Sequence, residues 1–529
     1  MTQRYDAIIV GGGHNGLTAA AYLAKAGRKV LVLERRHRVG GAAVSDEIYP
    51  GFTYTVCSYV VSLLRPQIIR DLELAKHGLE TVPLESTFTA YPDGRSMARW
   101  ADGARTRREI QGFNRNDADV YPEFGVAMGK LARFAKAIID VEAPNPASMH
   151  PRELMQLLGM GKRFRELGED LEAVQFKLLT MSAVDFLREW FEDDQLIAPM
   201  ACSGIIGTFL GVKSPGSAYV LLHHYMGEID GSSRAWAFPK GGTGAVSEAI
   251  ASSARSYGAE IRCNAAVERI VVKNGVATGV VLAGSGDEIE AKAIVSGCEP
   301  RLTFLKMVGA EHLPDDFVAS MKRYKLRGSS GKVNLALDHL PEWSARPGVE
   351  HLFGDANIAP DTDYLERAYD EAKYGDFSQR PFMNIIYPSL LDKSMAPEGK
   401  HVMSIFVQYA PYAIKEGPEY WPQRREAFGD AVIDTLAEYC PTLKDGILHR
   451  QVLTPWDLEQ DFGLTEGNIF HGELSLDQLL FTRPATGWAR YATPVKNLWL
   501  GGSGAHPGGG LMGAPGQLCA LRMLREGAV

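Results

Sequence analysis

A chain of 529 residues is too long for one small domain and invites two or three hydrophobic cores. Its 45% hydrophobic and 23% charged content is ordinary for a folded protein, and a net charge of −8 argues against a nucleic-acid binder, which carries a basic face. The 55 glycines exceed the usual share of about 7% and cluster, which suggests ligand sites lined by backbone.

Cys57, Cys202, Cys263, Cys298, Cys440 and Cys519 are scattered, with no C-x-x-C and no metal-ligand spacing. They read as reduced thiols of a cytoplasmic protein and exclude chemistry through a close redox cysteine pair. Met1-Thr2-Gln3-Arg4 leads straight into a strand, so no targeting segment is expected.

Tyr5 to Val10 (YDAIIV) reads as a buried parallel strand. Gly11, Gly13 and Gly16 then set a G-x-G-x-x-G spacing around His14 and Asn15, and LTAAAYLAKAG reads as a helix stopped at Gly27. Arg28 to Leu33 is a second strand, ending at Glu34. In this order Gly11 permits the tight turn, Gly13 admits a pyrophosphate, and Gly16 lets helix and strand approach. The helix N-terminus favours the phosphate charge, and Glu34 is placed to accept from ribose hydroxyls. His14 is expected to pack on the cofactor edge.

The unit is a dinucleotide site, open at this point between NAD and FAD. Glu34-Arg35-Arg36-His37-Arg38-Val39-Gly40-Gly41 resembles the E-x5-G-G extension of the FAD-binding glutathione-reductase-like superfamily. That resemblance implies FAD, with Arg35, Gly40, Gly41 and Ala42 beside the diphosphate.

Further along, EAPNPASMHP near 142–151 reads as a surface connection, with a hinge as the alternative. Gln195 to Val212 has no charge and the length of a membrane span, but its prolines and glycines favour a buried segment lining an apolar cavity. Gly241-Gly242-Thr243-Gly244 precedes another helix. EIRCNAAVERIVV, Asn274-Gly275 and VATGVVL then predict a hairpin within a three-stranded sheet, after which the chain re-enters the nucleotide domain near Ser296-Gly297. The superfamily resemblance implies that the backbone of Val267 meets the adenine.

The C-terminal run LWLGGSGAHPGGGLMGAPG delivers an apolar strand to a glycine-rich loop ahead of a helix. Amides there suit the flavin pyrimidine edge, which nominates Gly502, Gly510, Leu511, Met512 and Gly513. Taken together, GGGHNGLTAAAYLAKAGRKVLVLERR, VGGAAVSDEIYPGF, FPKGGTGAVSEAI and this run resemble the phytoene desaturase and carotenoid-ketolase group of FAD-dependent oxidoreductases. Within it they are most similar to the branch named for pyridine nucleotide-disulphide oxidoreductase domain-containing protein 2.

The expected fold is α/β: a Rossmann-like FAD-binding domain of the amine-oxidase and phytoene-desaturase type over 1–85, 236–304 and 486–529. An α+β substrate domain over 86–235 and 305–485 interleaves with it. The expected reaction is hydride transfer to flavin N5 from C–H bonds, or its reverse, on an apolar substrate of polyene or isoprenoid type. The electron acceptor stays open between oxygen, a quinone and another carrier, and a peripheral membrane contact stays in play.

Candidate catalytic residues are His506 beside the glycine loop, His471 in a Gly-flanked polar segment, and His224 in the uncharged stretch. Asp457 and Glu459 serve equally well as helix caps. One rival reading is an amine or amino-acid oxidase, for which Arg483 and Arg234 are the nominated substrate-binding arginines. The other is a non-catalytic lipid binder of the Rab GDP-dissociation-inhibitor type, which would lose the flavin residues. No metal site is expected.

Overall fold

A computed structural model of the chain describes residues 4–529 except 147, 230, 231 and 234, so the nominated Arg234 lies outside the described residues. β1 (Tyr5–Val10), α1 (His14–Lys25) and β2 (Val30–Leu33) open the chain. It then departs through β3 (Ser86–Ala90), β4 (Ser96–Trp100), α2 (Arg115–Ile139) and α3 (Ser217–Tyr225). It returns with α4 (Gly244–Ser256), β5 (Glu260–Arg262), β6 (Val267–Lys273), β7 (Val276–Leu282) and β8 (Glu288–Ser296). A second departure holds β9 (Ser330–Leu337), β10 (Asp355–Ile358), β11 (Phe382–Ile386) and β12 (His401–Gln408), then α5 (Trp421–Ala437), β13 (Ile447–Leu453) and α6 (Pro455–Phe462). β14 (Leu498–Leu500) and α7 (Ala514–Arg525) complete the return.

Two large sheets follow from this path. In the first, β5, β2, β1 and β8 lie side by side in parallel, and β14 pairs in parallel on the far side of β8. β8 serves twice. Its residues Glu288–Glu290 pair antiparallel with β7, while Ala291–Ser296 run beside β1. The hairpin expected at Asn274-Gly275 joins β6 to β7, both turn residues taking positive φ (52° and 74°) as a primed turn requires. The strand expected from Arg28 starts instead at Val30, where the basic pair gives way to apolar residues.

The second sheet has the order β13-β9-β12-β11-β10-β3-β4, with only the β10–β3 pair parallel. One face is apolar: Val333, Leu335 and Leu337 of β9 join Met403, Ile405 and Val407 of β12 in a core with Trp421 and Phe428 of α5. The opposite face of β9 carries Ser330, Lys332 and Asn334, all buried. Buried polar groups need partners, so this face marks where a ligand or a polar neighbour must lie.

Helix α1 is buried from Asn15 to Ala24. Its alanines let α4 and α7 pack against it. The uncharged stretch from Gln195 forms a helix only as far as Ala201 and then turns through Cys202–Gly204. No helix among the described residues is long and apolar enough to cross a membrane. The 142–151 connection is pinned by charge rather than loose: Glu142 pairs with Arg522 (3.1 Å), Arg490 and Arg525, and Glu153 just beyond it pairs with Arg490.

The crossing of α7 over α1 depends on Gly516, because a Cβ there would sit 2.0 Å from Asn15 O and 3.1 Å from Ala19 N. Overpacking of this kind costs about 1–3 kcal/mol. Gly516→Ala is expected to lower the stability of the FAD-free protein by that amount in urea unfolding; an unchanged midpoint would show that the helices separate freely.

Candidate functional site

A cavity of about 560 Å³ runs from the carboxyl ends of β1 and β2 to the polar face of β9, within the size range of small-molecule and cofactor sites. At the first end Gly11, Gly13, His14, Asn15 and Gly16 line it, together with Glu34, Arg35, Gly40, Gly41 and Ala42. Gly16 allows the close approach on which this end is built, since a Cβ there would meet Gly11 O at 2.3 Å. A Cβ on Gly13 would meet no atom within 4 Å, so that glycine leaves its space to the cavity. No side chain caps the α1 N-terminus, and its first amides remain available to an anion.

The Glu34 carboxylate is 6% exposed. It accepts from Gly12 N at 2.7 Å and from Arg36 N at 2.9 Å, so it fixes the loop while its remaining lone pairs face the cavity. Gly40 N donates to Gly12 O at 2.8 Å, joining the second glycine pair to the first loop. Ala266, Val267, Glu268 and Lys306 extend this end.

At the other end stand Tyr59, Ile206, His224, Trp236, Ser330, Lys332, Phe406, Phe470, His471, Gly510 and Leu511. Tyr59 stacks on Phe406 (centroids 5.7 Å apart), and the Lys332 ammonium lies 4.5 Å from the Tyr59 ring centroid. His224 stacks on Trp236 at 6.0 Å and its Nδ1 bonds to Val220 O at 2.9 Å. Ser503 joins the C-terminal loop to the first loop, accepting from Asn15 Nδ2 at 2.9 Å.

Burial drives the electrostatics. It pushes His14 down to about 3 and both His471 and His224 down to about 4, with the His471 ring adding to the effect at His14 and the Arg483 charge adding to it at His471. All three rings are therefore neutral near pH 7. Burial also lowers Lys332 to about 7 and raises the thiols of Cys57 and Cys298 to about 12. His14 Nε2, Asn15 Oδ1, Ser330 Oγ, Lys332 Nζ and His471 Nδ1 are buried without a hydrogen-bond partner among the described residues, and all five residues line the cavity. Orphaned polar atoms grouped around one space are what a polar-edged, flat cofactor would satisfy. The residues present fit FAD.

The model of the family described as flavin containing amine oxidoreductase matches residues 16–446. The chain belongs to that family. It is an FAD-dependent oxidoreductase of the amine-oxidase fold. A rat relative named pyridine nucleotide-disulfide oxidoreductase domain-containing protein 2 is 40% identical, over 99% of this chain and 94% of its own. A limonene dehydrogenase component from Castellaniella defragrans is 24% identical over 95% of this chain and 91% of its own. Among solved structures, cyclohexylamine oxidase from Brevibacterium oxydans superposes with a TM-score of 0.59 at 18% identity, covering 99% of each chain, which shows the shared fold.

Several nominated residues are elsewhere. His506 is 1% exposed, outside the cavity lining, and its Nε2 is bonded to Val141 O at 3.0 Å; it ties the C-terminal loop to the pinned connection. Gly502 packs under Gly297, Met512 joins a hydrophobic core, and Gly513 starts α7 at φ 72°, so of that loop only Gly510 and Leu511 reach the cavity among the five nominated positions. Arg483 is no grip for a substrate carboxylate, because backbone carbonyls take its donors. Asp457 is a helix cap, in a capping box with Thr454, and also pairs with Arg425.

Lys332, Ser330, Tyr59, Trp236 and Phe406 were not singled out by sequence. The available signal was the alternation Ser330, Lys332, Asn334 within an otherwise apolar strand.

Lys332 carries a pH signature. Its amine sits at about 7 in the fold against an ordinary 10.5, so the unfolded chain binds more protons across that window and stability rises with pH through it. Below pH 7 the fold bears the full cost of a buried, unpaired cation. Lys332→Met is expected to stabilise the FAD-free protein by about 2–4 kcal/mol at pH 6, with the gain fading towards pH 10, in urea unfolding at stepped pH. A gain that does not vary with pH would contradict the assignment.

Proposed function

We propose that the cavity holds FAD with its diphosphate over Gly11–Gly16 and Gly40–Ala42, its ribose on Glu34 and its flavin towards Lys332, His471 and Gly510. The reaction we propose is hydride transfer at C–H or C=C bonds of a neutral, apolar substrate of polyene or isoprenoid type. FAD supplies the two-electron acceptor. Tyr59, Ile206, Trp236, Phe406 and Phe470 bind the substrate by apolar contact and exclude water. Lys332 Nζ, whose pKa burial lowers to about 7, takes the proton that leaves when a C–H bond is oxidised. His471 and His224, both neutral near pH 7, add uncharged ring surface to the cavity wall.

One observation carries the choice of substrate. Among the described residues lining the cavity only Glu34 and Glu268 are acidic, and both belong to the ribose and adenine end in this reading. The described residues of the reaction end include the Lys332 amine and no carboxylate. A protonated amine would lose its hydration there with no opposite charge to meet it. The likeness to the limonene dehydrogenase component supports the same class.

Three measurements test the proposal. Anaerobic mixing with monoterpenes and longer isoprenoid polyenes, alongside primary amines and polyamines, should bleach the flavin only with the hydrocarbons; bleaching by amines alone would replace this reading with amine oxidation. Loss of the Glu34 carboxylate removes charged hydrogen bonds worth about 1.5–3 kcal/mol. Glu34→Ala should therefore weaken FAD binding tenfold or more in a fluorescence titration, and unchanged affinity would take Glu34 out of the site. Because Cys57 and Cys298 are held as protonated thiols, they are poor nucleophiles, and acid precipitation should release all the flavin.

A further inference from the structure

Arg483 is wholly buried, at 0% exposure. Its Nε donates to Ser503 O at 3.0 Å, Nη1 to Glu473 O and Gln478 O at 3.0 Å each, and Nη2 to Ser503 O at 2.7 Å and Phe470 O at 2.8 Å. No carboxylate pairs with it among the described residues, and the Glu473 side chain is taken by Arg327. Arg483 is thus a buried cation whose partners among the described residues are peptide carbonyls. Such a charge is expensive to keep, and a clamp for two loops does not require one, since neutral amide donors make the same kind of bond.

The position of the charge supplies a reason to keep it. Phe470 and Ser503, whose carbonyls it holds, line the cavity, as does His471 between Phe470 and Gly472. Gly508 of the C-terminal loop lies against the guanidinium, a Cβ there being 3.6 Å from Nε. In a trans peptide the N–H points opposite to the C=O, so each carbonyl fixed on Arg483 turns the positive end of its dipole the other way. Charge and dipoles act together on one wall. Their effect is strong because the intervening medium is protein rather than water.

We propose that Arg483 is an electrostatic positioning residue for the flavin: it stabilises the negative charge that arrives with two-electron reduction and raises the midpoint potential. This rests on placing FAD in the cavity as described above. It gives the buried cation a counter-charge that exists only in the reduced enzyme, and it makes the enzyme a readier oxidant of unactivated C–H bonds.

The test is the midpoint potential of the FAD-replete protein, read spectrophotometrically in equilibrium with a redox dye at constant pH. Arg483→Lys keeps the charge with three N–H donors, and Arg483→Gln keeps two N–H donors and loses the charge, so neither keeps the five-donor fork and they differ chiefly in charge. The Gln variant should show at least a tenfold lower ratio of reduced to oxidised flavin at a fixed dye potential, and the Lys variant should stay near wild type. A Gln variant matching wild type, or a Lys variant falling as far as Gln, would overturn the proposal, the latter assigning Arg483 to loop geometry alone. If the Gln variant does not retain FAD, wild type decides: a potential above that of free FAD supports the proposal and one at or below it overturns it. The site itself is judged separately by Glu34→Ala, whose undiminished FAD affinity would count against Glu34 and leave the potentials to judge the charge.

Discussion

Gly12 is the joint on which the cofactor end is assembled. Its N–H donates to the Glu34 carboxylate and its C=O accepts from Gly40 N, so one residue between two strands fixes the acid at the end of β2 and the glycine pair beyond it. Gly16 lies against the Gly11 carbonyl, and Asn15 reaches across to Ser503. Each later return of the chain is therefore referred to the same few atoms. The closeness is possible because backbone, rather than side chains, fills the space.

The second constraint is the sorting of charge along the cavity. Among the described residues, Glu34 and Glu268 stand at one end beside Arg35 and Lys306, and the Lys332 amine stands at the other with no carboxylate near it in the lining. Every imidazole that lines the cavity is neutral near pH 7 because it is buried. Lys332 and the cation of Arg483 then govern the field at the reaction end. Lys332 is held by the second sheet and Arg483 by the segment after α6.

What the sequence discloses is what local geometry demands. Gly11, Gly13, Gly16, Glu34, Gly40 and Gly41 are readable because a tight turn, a close approach and a strand-end acid each permit few residue types. The Asn274-Gly275 hairpin is readable for the same reason. Lys332 is hidden because a lysine in a strand reads as facing solvent, and only distant residues such as Tyr59 cover it. His506 misleads through its neighbours: it adjoins the glycines, yet the loop turns it towards Val141. Arg483 misleads through its chemistry, since an arginine near a cofactor suggests a grip on an anion until its carbonyl partners are known. Contacts between segments far apart in the chain decide these cases, and periodicity and spacing report none of them.

The bond between Asn15 and Ser503 spans 488 positions, and β14 and α7 reach the first sheet only on the last return of the chain. On the ribosome, the glycine loop and β2 emerge well before the wall that Ser503, Gly510 and Leu511 give the cavity. Until β14 has been made, the far edge of β8 has no strand to pair with it. The cavity is in this sense completed by a late joint rather than by the glycine loop that opens it.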